Sequence, residues 1–107
     1  MSALSIVRDG NKAVTLVANP LYLTSSFTVQ RGGRVTFEIL EADAGGLKEL
    51  VGTKQLYYLE DHLFWGQLDS LELCESTHPT LSMVARTLNK KTARGVFSII
   101  GEAETIN

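Results

Sequence analysis

The chain has 107 residues, enough for one domain around one core, and with 44% hydrophobic and 21% charged residues it is globular rather than disordered. A net charge of −2 argues against a protein whose main task is coating nucleic acid, which needs a positive excess to neutralise phosphates. Cys74 is the only cysteine, which excludes an intrachain disulfide and fits a reducing compartment.

Gly, Asn-Pro and Asp-Gly cut the sequence into short pieces, as in an all-β domain. Leu4 to Arg8 reads as a strand, Asp9-Gly10-Asn11 as a tight turn and Ala13 to Ala18 as the partner strand, with Asn19-Pro20 as its stop. Leu21 to Gln30 alternates again, and Arg31-Gly32-Gly33 turns into the strand Arg34 to Leu40. There Val35, Phe37 and Ile39 share one face, and Arg34, Thr36 and Glu38 the other. A loop at 41–46 precedes a short helix near residues 46–51, stopped by Gly52. Lys54 to Leu59 is a strand, Glu60-Asp61-His62 a turn, and Leu63 to Cys74 a long strand with a bulge at Gly66. Thr80 to Leu88 and Ala93 to Gly101 follow, separated by the polar loop Asn89 to Thr92. The predicted fold is a mainly β domain over residues 1–101: a small antiparallel barrel or sandwich of about six to eight strands with that one short helix. Residues 102–107 are read as a flexible tail.

Residues 80–101 admit a second reading. Leu81, Val84, Ala85 and Leu88, and then Ala93, Val96, Phe97 and Ile100, fall at helical spacing. Two helices there, with Lys90, Lys91 and Arg94 at the start of the second, would make a helix-turn-helix DNA-binding regulator. Gly95 inside the second helix and the β-branched Thr80, Val84, Thr87, Val96, Ile99 and Ile100 favour a hairpin instead.

No chemistry-bearing constellation stands out, so neither an enzyme nor a metal or cofactor is expected. No CxxC or HxxxH spacing suggests zinc, Cys74 and His78 lack an evident orienting partner, and Arg31-Gly32-Gly33-Arg34 lacks the helix a phosphate loop needs. Two features point to other macromolecules. Tyr57, Tyr58, Phe64 and Trp65 flank one turn, so alternation sends one of each pair inward and one outward. Phe64 in and Trp65 out is the first choice, with Tyr58 and Trp65 as interface candidates or, alternatively, caps on the core. The second feature is charge segregation. Residues 38–75 hold nine acidic groups against Lys48 and Lys54, whereas residues 76–94 hold Arg86, Lys90, Lys91 and Arg94 and no acid. Complementary blocks suit contacts between copies of one chain, or fold against each other. Arg86, Lys90, Lys91 and Arg94 complete the candidate interface.

From residue 27 to about 94 the order of strands and turn glycines has a precedent. Gly32 to Asp43, the Val51-Gly52 connection, the strand Lys54 to Asp61, the run Phe64-Trp65-Gly66-Gln67-Leu68-Asp69-Ser70 and the basic stretch ending in Lys90-Lys91 together resemble the first β-domain of phage baseplate-hub and tail-tip proteins. That group includes late control protein D and VgrG. Members of that family are several times longer, so only this opening domain is compared. The resemblance implies a virion structural protein, or a part of a related injection machine, that contacts copies of itself and neighbouring tail proteins. It would assemble in the host cytoplasm and end in the virion. The N-terminus shows no signal-peptide pattern, and no apolar run approaches the ~20 residues that span a bilayer. The alternatives are the helix-turn-helix regulator and an OB-like barrel binding single-stranded nucleic acid.

Overall fold

A computed structural model describes residues 2–8, 13–24 and 27–103. Two three-stranded antiparallel meanders close on each other into one barrel, in the order β1-β2-β3-β6-β5-β4. The first meander is β1 (Ser2–Arg8), β2 (Ala13–Leu23) and β3 (Arg34–Leu40); the second is β4 (Lys54–Leu59), β5 (His62–Cys74) and β6 (Thr92–Glu102). One seam, β3 against β6, is paired along its whole length from Arg34↔Ser98 to Leu40↔Thr92. The other seam, β1 against β4, is paired among the described residues at Ser5↔Tyr58 and Ile6↔Tyr57 alone.

Period-two alternation fills the interior. Val35, Phe37 and Ile39 from β3 meet Tyr57 and Leu59 from β4, Phe64 and Leu68 from β5, and Phe97 and Ile99 from β6. The rings form one cluster around Phe97, whose centroid lies 4.7 Å from Tyr57, 5.3 Å from Phe37 and 6.1 Å from Phe64. Gly95 makes this possible. It pairs with Phe37 across the β3–β6 seam, and a Cβ at position 95 would overlap the Phe37 ring. Residues between β3 and β4 plug one mouth of the barrel: a 3-10 turn, Glu41–Asp43, then α1 (Gly45–Lys48), with Ala44 and Leu47 buried in the core. Phe27 and Val29 pack on the core at the other mouth, where Phe27 meets the edges of the Phe64 and His62 rings.

The structure corrects the sequence reading in several places. Thr80 to Leu88 is not a strand; it lies in α2 (Pro79–Leu88). Ala93 to Gly101 is a strand, within β6, so the stretch is neither a hairpin nor the pair of helices that a helix-turn-helix requires. Weak helix propensities of Thr80, Val84 and Thr87 cost a few tenths of a kcal/mol each, roughly. Burial of Leu81 and Ala85 against Tyr22 and Leu40, on the outer wall of the barrel, outweighs them. Pro79 sits in the first turn, Thr87 bonds back to the Met83 carbonyl at 2.9 Å, and Asn89 ends the helix in the left-handed region at φ 53°. β2 runs through Asn19-Pro20 rather than stopping there and ends at Leu23, so residues 27–30 are not strand. Its ladder with β1 shifts register between Ser2↔Leu21 and Leu4↔Ala18, which lets the chain pass a residue that cannot donate. The short helix starts one residue earlier than expected and ends three earlier, Glu102 belongs to β6 rather than to a tail, and residues 104–107 lie outside the described residues. So do the expected turn Asp9-Gly10-Asn11 and the pair Ser25-Ser26. Glu60 and Asp61 alone form the β4–β5 turn, both at positive φ (52° and 63°), and His62 already pairs with Leu59.

Candidate protein-protein interface

Tyr58 and Trp65 stand on the outer wall because their neighbours are committed inward. In the β4–β5 ladder Tyr57 faces Phe64, and both rings are fully buried; the flanking pairs Leu56↔Trp65 and Tyr58↔Leu63 therefore point out. Tyr58 is 41% and Trp65 47% exposed. The expected bulge does not fall at Gly66: Gly66 pairs regularly with Gln55, and the extra residue is Ile100 on β6, between the pairs Trp65↔Gly101 and Gly66↔Ile99. Ile100 extends the apolar wall onto β6, beside Gly101, the partner of Trp65. The Tyr58 hydroxyl donates to Asp61 Oδ1 at 3.0 Å, and that bond, with the carboxylate charge, raises the phenol's pKa. Tyr57 differs. Its hydroxyl is buried with no hydrogen-bond partner among the described residues, and burial pushes its pKa to about 12.

Arg94, grouped by the sequence with the basic loop, has another task. It pairs with Glu38 across the β3–β6 seam on the outer wall, donating from Nη2 at 2.8 Å and from Nε at 3.2 Å. Glu38 is fully buried and gathers further donors: Ser76 Oγ at 2.7 Å, Thr77 Oγ1 at 2.9 Å, and the Thr77 and His78 backbone N–H groups at 3.0 and 3.3 Å. Burial alone would raise the carboxyl's pKa, but the bonds from Arg94, Ser76 and Thr77 outweigh it and hold it at about 2. This carboxylate clasps the start of α2 to the barrel wall. Sequence reasoning missed it; the one available signal was an acid on the outward-facing face of an otherwise well-patterned strand.

Arg86 on α2 and Lys90 and Lys91 after it are exposed and line one open groove of about 710 Å³, together with Leu73 and Glu75. Two backbone bonds fix the loop, Lys90 N–H to the Ala85 carbonyl at 2.9 Å and Glu41 N–H to the Lys91 carbonyl at 2.8 Å. The candidates thus separate into two places. Tyr58 and Trp65 lie near the start of β5, whereas Lys91 adjoins the Cys74↔Thr92 pair at its end, nine strand residues or ~30 Å away. The remaining chemistry-bearing residues do not assemble. The Nδ1 of His78 is buried without a partner among the described residues, its ring tilted on Tyr22 at 4.8 Å, so it does not activate Cys74 through that nitrogen. No group of three or more His, Cys, Asp or Glu among the described residues could hold a metal ion, and none of their helices is long and apolar enough to cross a membrane.

Comparison with protein-family models, with curated proteins and with solved structures found no match.

Proposed function

We propose that this chain is a structural protein of a phage tail or a related contractile or injection assembly. It would be a hub, tip or baseplate component that contacts copies of itself and neighbouring tail proteins. The observation that carries the reading is the aromatic wall. β4 and β5 bury Tyr57 and Phe64 completely yet hold Tyr58 and Trp65 in water, side by side on rigid paired strands. Full burial of a large apolar side chain is worth roughly 1.5–3 kcal/mol, so covering these half-exposed rings is worth about half of that each, and a partner chain supplies the cover. Rigid aromatic anchors lose little rotamer freedom on docking, which suits a permanent assembly part. The run Phe64 to Ser70 adds support: at Gly66 β5 pairs with β4 on one side and β6 on the other, as the resemblance to tail-hub β-domains implies.

The reading is tested by purifying tail particles from producing cells on a density gradient and quantifying this chain in each fraction. It is expected in the particle fraction at a fixed ratio to the other tail proteins. Recovery only from the soluble or the nucleic-acid-bound fraction would overturn the reading.

A further inference from the structure

We propose that the chain docks head to tail on a second copy of itself, the β4–β5 turn end of one barrel seating in the basic groove beside Leu73 of the next. The inference rests on the structural-part reading and names the surfaces.

Among the described residues, the two ends of the molecule carry opposite charge. At the end plugged by α1, the groove presents Arg86, Lys90 and Lys91 against Glu75. A smaller recess of about 240 Å³ continues past Leu73 to Val51; there Lys48 and Glu41 neutralise each other at 3.4 Å and Glu72 adds a carboxylate, so Arg86, Lys90 and Lys91 outnumber Glu72 and Glu75 by one. Its floor is apolar: Leu73 is 58% exposed and Val51 is also open to water. The backbone there is open as well. The β4 ladder ends at Lys54↔Gln67, so among the described residues no strand pairs with Ser70–Cys74 on the side away from β6. The far end presents Asp61 in the turn and Glu102 opposite Phe64, both exposed, against Arg31 in the β2–β3 connection. Tyr58 and Trp65 flank that acidic end as its apolar component.

Each end is therefore complementary to the other and repels its own kind. Two grooves meeting about a two-fold axis would set Lys90 and Lys91 against the same residues of the second copy. Groove against turn pairs cations with carboxylates and Leu73 with aromatic surface. The surfaces that meet are different, so the contact is heterologous and propagates to a closed ring or a filament.

Sedimentation velocity of the full chain tests this. Association that weakens about tenfold between roughly 50 and 500 mM salt is expected, because exposed charges are screened over that range. The groove variant K90Q/K91Q and the turn-end variant D61K/E102K, each with an unchanged far-UV circular dichroism spectrum, are each expected to sediment as monomers. Mixed, they retain one intact groove and one intact acidic end between them, and are expected to form a one-to-one dimer that grows no further. A wild-type chain that stays monomeric at low salt would overturn the inference, as would association insensitive to salt or to either variant, or a mixture that fails to pair. None of these results touches the particle-fraction test, which a tail part present as isolated copies would still pass.

Discussion

The two seams that close the barrel differ in the length of their pairing and in how their polar groups are satisfied. At β3–β6, seven consecutive residue pairs carry an interior layer, Phe37 lying over Gly95, and an exterior one, Glu38 bonded to Arg94 and to the start of α2. At β1–β4, two pairs close the sheet, and the inward side chain from β4, Tyr57, brings a hydroxyl with no partner among the described residues. A closed topology is thus no guarantee of even strength. β3–β6 fixes the shape of the barrel, and β1–β4 only completes it.

Breaking the strong seam is expected to have the largest effect. Glu38→Ala leaves the guanidinium of Arg94 and the donors of Ser76, Thr77 and His78 facing a void. Removing one partner from a buried charged network costs about 3–5 kcal/mol, read as a fall in the denaturant midpoint at unchanged slope. Acid probes the same clasp without mutation. Glu38 is held at about 2 against an ordinary 4.5, so its contribution, on the order of 3 kcal/mol, is complete above pH 4.5 and lost as pH falls from about 4.5 to about 2. An acid titration of stability is expected to steepen in that window, and to flatten there in the Glu38→Ala variant. Gly95→Ala sets a methyl against the Phe37 ring inside the same seam and is expected to cost about 2–3 kcal/mol in thermal or denaturant unfolding. At the weak seam the sign reverses. Tyr57→Phe removes an unpartnered buried hydroxyl and is expected to be neutral or to stabilise by up to about 1 kcal/mol in the same measurement.

What the sequence disclosed and what it hid follow from the range over which the controlling forces act. The alternation of Val35, Phe37 and Ile39 and the polar turn after Leu59 are local, and both are seen in the structure; the bulge expected at Gly66 falls instead at Ile100 on β6, a strand whose register with β5 is not a local property. α2 was hidden because its β-branched residues argue for a strand, while the surface that makes it a helix, Tyr22, Leu40 and Glu38, belongs to distant strands. Pro20 misled for a similar reason: proline ends a regular ladder, but not one that shifts register around it. In the candidate interface, the exposure of Tyr58 and Trp65 was legible as one of two registers, because the buried partners Tyr57 and Phe64 sit beside them in the chain. Arg94 was not separable from Lys90 and Lys91. Its partner lies 56 positions away, and only the β3–β6 register brings the two together.

The proposed function rests on the aromatic wall meeting another chain, and competition for incorporation addresses that directly. A double variant, Tyr58→Ser with Trp65→Ser, alters only outward-facing side chains, and its folding is verified by circular dichroism before use. Co-expressed with the wild-type chain in producing cells, it is expected to be depleted from purified tail particles while remaining abundant in the soluble pool. Equal incorporation of the two chains would contradict the account.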